Sequence, residues 1–400
     1  MFNSLALRLA SMVFKFLFLI VAAKKLAPVE IAGFGTTNAS ILLLTYFLGL
    51  DLYIATSRKI GMGGREYHSL LSNQIVACSL FFLVVAAVLI SSAPAKVLTV
   101  PIGLFLALLL LELVSQEFYR LNVSHGDYII ANILFFTKSG LWTCLATLGI
   151  LAGWLQTIEQ ILLLWLIGAG AACAYGYRSV RSYTKGFFFC PSLSTFLSEI
   201  KNNSLIFSSS ISLVVLGNFD KIFLSSIGEA ETVAAYVFYA SLGGAAMTLI
   251  YSGVVNPNYS KIVDPEKTSE GIRKTILSMA ISVAGLLLCA FLLLAILIDP
   301  LLEAIGRTYL ANEKGLLVIV GIGVFFNAIG LIPHFFLLAS ESDKQIALAS
   351  IMSVGVHVAT IFPFSQAWGV SGVAVSATLG FGTLFLIKSA FSLVSLARQT

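Results

Sequence analysis

Apolar stretches of about 20 residues, nearly free of charge, recur from one end of this chain to the other, and that is the length a helix needs to cross roughly 30 Å of hydrocarbon. The runs 80–90, 104–111 and 286–298 lie inside such stretches. Soluble domains carry about 25% charged residues. Of these 400 residues only 11% are charged and 58% are hydrophobic, so the chain cannot cover itself in water. The sequence predicts an all-α polytopic membrane protein.

About 12 spans are expected, near 3–23, 34–56, 71–93, 98–120, 128–150, 158–178, 204–226, 232–254, 275–298, 314–338, 345–364 and 370–392. Turn and breaker signals fall between them at Pro28, Gly61 to Gly64, Pro94, Gly126, Pro191, Gly228, Pro257, Pro265, Pro300 and Gly369. The first stretch contains Arg8 and Lys15 and has no convincing cleavage site, so it reads as a spanning helix and not as a signal peptide. The longest polar connection, 178–203, contains PSLSTFLSEIK (191–201), which has the pattern of an interfacial amphipathic helix. The expected organisation is a six-helix lobe at 1–180, a cytoplasmic linker at 181–203 and a second six-helix lobe at 204–400.

Loop charge sets the orientation, because loops rich in lysine and arginine stay cytoplasmic. With the N-terminus inside, fourteen cations from Arg58 and Lys59 to Lys344 and Arg398, Arg120 among them, fall on the cytoplasmic side. Five fall outside: Lys24, Lys25, Lys96, Arg307 and Lys314. Both termini are therefore expected in the cytoplasm. The net charge of +5 reflects this asymmetry together with cations inside the spans, and gives no reason to invoke nucleic acid. The five cysteines are scattered without metal or redox spacing. Gly61, Gly63 and Gly64 lack the lysine and hydroxyl residue of a phosphate loop, so no nucleotide site and no cofactor is expected.

A faint internal repeat sets PVEIAGF (28–34), after the first span, beside AETVAAY (230–236), after the seventh. Halves with an even number of spans would be parallel repeats with a path between them. LAPVEIAGFG (26–35) resembles the loop after the first helix of bacterial polysaccharide flippases of the O-antigen translocase type. NFDKIFLSSIGEAETVAAYVFYASL (218–242) resembles their seventh helix and its exit, and ELVSQEFYR (112–120) the end of their fourth. These flippases belong to the multidrug, oligosaccharidyl-lipid and polysaccharide exporter (MOP) superfamily. The resemblance implies a V-shaped pair of six-helix lobes in the inner membrane. It implies movement of an undecaprenyl-pyrophosphate-linked oligosaccharide between leaflets, coupled to a proton or cation, with polysaccharide polymerase and assembly proteins as partners.

Charges inside spans are costly and usually face a bundle interior or a wet cavity. Arg8 and Lys15 are seven residues apart and share one face of the first helix. Lys138, Lys221 and Lys388 lie in the fifth, seventh and twelfth spans. These five cations form a candidate path for a pyrophosphate headgroup, with boundary snorkelling the alternative for Arg8 and Lys388 and a local pair with Asp220 the alternative for Lys221. Glu112, Gln116 and Arg120 make one polar stripe on the fourth helix, with Glu117 about 140° away from Glu112. Glu112 is a candidate for proton coupling or for pairing with a buried cation. Asp51 is expected to answer Arg58 or Lys59 at the boundary. His334 and His357 are expected to be satisfied core histidines, with pH sensing the alternative.

Two rival functions remain at this level. A membrane-embedded glycosyltransferase or polymerase would need a sizeable external loop to build its site, and none is present between these spans. A drug or small-cation exporter of the same superfamily would be expected to have an acidic cavity, which five intramembrane cations oppose. Secondary transport without catalysis is the expectation.

Overall fold

Pro28 opens a helix because its missing N–H falls where a helix start needs no donor, and Ala27 before it is extended (φ −69°, ψ 149°). The same local geometry returns at Ala230, where Glu229 is extended (φ −71°, ψ 150°) and Glu231 occupies the first turn as Glu30 does after Pro28. Ala32 and Ala234, equivalent in the internal repeat, are both buried. The two repeat segments thus begin two helices in the same way.

The structure, a computed structural model, describes residues 2–54, 56, 64–92, 100–185, 187–262 and 269–397. The helices are α1 (Phe2–Lys25), α2 (Pro28–Gly49), α3 (Gly64–Ser91), α4 (Ile102–Ser124), α5 (Tyr128–Leu151) and α6 (Ile158–Tyr183). They continue with α7 (Leu193–Ile227), α8 (Ala230–Ile250), α9 (Ser269–Ile305) and α10 (Gly315–Ala339). A last helical stretch, Asp343–Ala397, is broken at Gly369 (φ 59°, ψ −134°) into α11 (343–368) and α12 (370–397). Eleven described stretches are long and apolar enough to cross a membrane; the last, at 54 residues, would be about 81 Å long if straight, and its break divides it into two helices, each long enough for a crossing.

The molecule is inside-out relative to a soluble one. Leu80, Leu83, Val84 and Val88 of α3 and Leu288, Leu292 and Ile296 of α9 are exposed, whereas Gln74, Glu112, Arg120, Lys138 and Lys388 are buried. Hydrocarbon solvates the outer side chains, and the polar groups find partners within.

Several sequence expectations change. The second span, expected at 34–56, is α2, which starts at Pro28 and ends at Gly49, where Leu50 and Asp51 turn left-handed (φ 47° and 51°). No separate amphipathic helix forms at 191–201: the segment is continuous with the seventh span in α7, whose 35 residues span about 52 Å and so overrun the hydrocarbon. Pro300 does not end α9, which runs on to Ile305; the missing N–H frees only one carbonyl a turn earlier. Arg120, counted with the cytoplasmic loop cations, is 6% exposed within α4. Arg58, Lys59, Lys96, Lys267 and Arg398, and the breakers Gly61 to Gly63, Pro94 and Pro265, lie outside the described residues.

The chain divides into two compact units, 1–207 and 208–400, with the boundary inside α7. In the first, α4 packs along α6 and α1 along α5. In the second, α10 packs against the 343–397 stretch, with Thr378 and Ser392 of α12 hydrogen-bonding to it, and a core forms from Met247, Ile250, Met279, Val283, Leu331 and Phe335.

Candidate functional site

A π-helical turn, Thr137–Leu141, interrupts α5 and carries Lys138. One extra residue in a turn re-aims the side chains beyond it, and such turns concentrate at functional sites. Close helix approach holds this one in place: a Cβ on Gly140 would lie 2.7 Å from Ser11 Oγ of α1.

Lys138 points inward, donating from Nζ to Glu112 Oε2 (3.0 Å) and Gln116 Oε1 (2.9 Å) of α4. Trp165 Nε1 of α6 donates to the other carboxylate oxygen, Oε1, at 2.7 Å. Trp165 is stacked on Trp142 (centroids 5.4 Å, planes 12° apart), whose Nε1 donates to Lys138 O. Both carboxylate oxygens of Glu112 are thus engaged, and three helices meet on one carboxylate. Glu112 is held as an ion-pair partner in this conformation.

Lys15 of α1 stands beside this pair. It is exposed, its Nζ lies 5.5 Å from the Phe135 ring centroid, and Glu112 and Lys138 are within electrostatic reach. Among the described residues its ammonium has no hydrogen bond and no salt bridge. Arg8 lies over the same ring at 5.9 Å, so the two do share a face of α1, but its guanidinium is occupied by Asn132 Oδ1 (2.5 Å) and Tyr119 Oη (2.8 Å). The local charge sum of Lys15, Lys138 and Glu112 is +1.

The other predicted residues go elsewhere. The stripe on α4 splits: Glu112 and Gln116 serve Lys138, while Arg120 pairs with Glu117 (2.6 Å) and Asp51 (3.8 Å) and lies 4.0 Å from the Tyr53 ring centroid. Asp51 therefore meets Arg120, and Glu117, the residue off the stripe, also accepts from Gln74. Burial pushes the Tyr53 phenol up to about 12, with Arg120 opposing. In the second unit Lys221 Nζ donates to Gly217 O (2.7 Å) and lies 3.5 Å from Asp220 Oδ1, and Tyr236 donates to the other oxygen of Asp220. His357 is buried, with Nδ1 2.9 Å from Ser376 Oγ. Lys388 of α12 is buried, within electrostatic reach of His334 of α10. Trp142, Trp165, Tyr119, Asn132 and Gln74 were missed from sequence; two of only four tryptophans in one pair of spans was the available signal.

Ionised groups buried within a bundle of membrane-crossing helices define a multi-pass membrane protein with a polar interior. No family model matches the chain. It is similar, at 11% identity and a TM-score of 0.73, to an inward-facing multidrug resistance MATE family transporter of the MOP superfamily, covering 98% of both chains. It is also similar, at 13% identity and a TM-score of 0.71, to the lipid II flippase MurJ in an inward closed conformation, over 96% of this chain and 87% of that one. The protein has the MOP-superfamily fold. In sequence it is 27% identical over 173 residues to a "Putative O-antigen transporter" of Shigella flexneri, a match spanning 42% of this chain and 40% of that relative. That relative is of the O-antigen transporter type whose resemblance was read from the sequence.

Proposed function

We propose that the protein is a secondary transporter of the inner membrane, with both termini cytoplasmic, that moves an undecaprenyl-pyrophosphate-linked oligosaccharide to the outer leaflet by alternating access. The observation that carries this reading is Lys15. An ammonium in the middle of a spanning helix, exposed and without an acceptor among the described residues, is too costly to leave facing hydrocarbon and belongs on a wet path. Beside the Lys138–Glu112 pair it gives the site a net positive charge, which suits a diphosphate and repels a cationic drug. The fold supports transport, and the O-antigen relative supports a lipid-linked saccharide as cargo. No step of this reading needs catalysis by the protein.

The test is substitution of Lys15 in cells with the matching surface polysaccharide. Lys15→Gln is expected to keep normal membrane abundance and to accumulate the lipid-linked saccharide in the inner leaflet, while Lys15→Arg, which keeps the charge, is milder. Normal surface polysaccharide in Lys15→Gln at normal abundance would remove the electrostatic basis of the assignment.

A further inference from the structure

Two lysines are buried among the described residues, Lys138 and Lys388. Lys138 has its carboxylate. Among the described residues, Lys388, on α12 and 3% exposed, has neither a hydrogen bond nor an ion pair from its ammonium, and no carboxylate of theirs lies within electrostatic reach of it. The facing element is α10, and the two helices are tied at this level: Ser392 Oγ lies 3.2 Å from Pro333 O and 2.8 Å from Lys388 O. Next to Pro333 stands His334, within electrostatic reach of Lys388, and its Nδ1 is buried with no hydrogen-bond partner.

The two unpartnered groups are complementary to one kind of ligand. An ammonium offers three donors and no acceptor, and an imidazole protonated on Nδ1 offers a fourth. What is missing is an anion with several acceptor oxygens, for which charge-assisted bonds are the strong ones. His334 is five residues from the end of α10 and Lys388 nine from the end of α12, about 7 and 14 Å along the axes, depths suited to a headgroup phosphate. α10 is also interrupted one turn before His334, at Gly330, where a Cβ would come within 2.9 Å of Phe326 O and 3.7 Å of Phe385 Cα of α12. Gly330 and Pro333, three residues on, are the kind of positions at which a helix can bend.

We propose that Lys388 and His334 form a phosphate-binding subsite within the second unit, enclosed in this conformation and opened by bending of α10 at Gly330. The ligand is a phosphate group, either free or on a lipid. The subsite stands independently of the transport reading, because binding there needs no translocation.

The experiment uses the full chain in nanodiscs of zwitterionic lipid and follows the apparent unfolding midpoint. Sodium phosphate replaces sodium chloride at constant ionic strength in one arm, and phosphatidic acid is added to the lipid in the other. The wild type is expected to rise in midpoint in at least one arm, since a ligand bound only by the folded state stabilises it. A rise in the first identifies free phosphate, a rise in the second alone a lipid phosphate. Lys388→Met should weaken the apparent affinity at least tenfold, with Lys388→Arg retaining the response. If Lys388→Met does not fold, His334→Gln takes its place with the same expected loss. The proposal is overturned if the wild type responds in neither arm, or if folded Lys388→Met and His334→Gln respond as the wild type does. Lys15→Gln failing to support transport while Lys388→Met keeps its phosphate response would refute the subsite and leave the transport reading standing.

Discussion

Lys138 and Glu112, 26 residues apart in sequence, are 3.0 Å apart in the interior of the first unit, each side chain only about one-tenth exposed. The pair joins α4 to the π-helical turn of α5, and Trp165 extends it to α6. Lys15 beside it is left without such a partner, and that difference gives the two lysines opposite expected phenotypes.

Removing one member of the buried pair leaves the other charge uncompensated, which costs about 3–5 kcal/mol. Lys138→Gln and Glu112→Gln are each expected to lower the unfolding midpoint and the membrane abundance, and the double variant to recover most of the loss. Thermal unfolding of the four proteins checks this as a double-mutant cycle; additive losses would show that the two side chains are not coupled.

Tyr53, which lies beyond the end of α2 and outside the spans, predicts a pH dependence. The Tyr53 phenol is pushed from its usual 10 up to about 12 by burial, so between these values the unfolded chain loses the proton first. Stability is therefore expected to fall as pH rises from about 10 to about 12, and to be unaffected by this group below that window. Unfolding of Tyr53→Phe against the wild type from about pH 9 to about pH 12 isolates the contribution as the part of the decline that the variant lacks.

At Gly369 the chain reverses between α11 and α12 with φ 59° and ψ −134°, a conformation that favours glycine. Gly369→Ala is expected to destabilise the protein by about 1–3 kcal/mol through backbone strain. Space is open around the site, so a clash would not explain the loss. A midpoint equal to the wild type would mean that the turn relaxes.

The proposed orientation is checked with topology reporters fused at Gly228 and Lys267, which flank α8 in the chain. They are expected to report opposite sides, Lys267 inside. The same side for both would overturn the assignment of the second half.

The class of fold was legible in the sequence because a bilayer imposes a length and a polarity on each segment separately. Charge-poor stretches, Pro28 at a helix start and Gly369 at a break are local signals that need no knowledge of neighbours. The sequence likewise marked Arg8, Lys15, Glu112, Lys138, Asp220, Lys221, His334 and Lys388 as charged or titratable groups where few belong. It did not determine their partners. Spacing along α4 put Arg120 on the face of Glu112, yet the long guanidinium reaches Glu117 and Asp51, because the left-handed turn at Leu50 and Asp51 brings that carboxylate inward. The π-helical turn shifts the facing of Lys138 in a way that 100° per residue does not anticipate. Which cations are compensated is a property of contacts between helices distant in sequence. Only the tertiary structure decided that Lys138 has its carboxylate while Lys15 and Lys388 have none among the described residues, since an ion pair depends on separations of a few ångströms that hydropathy does not encode.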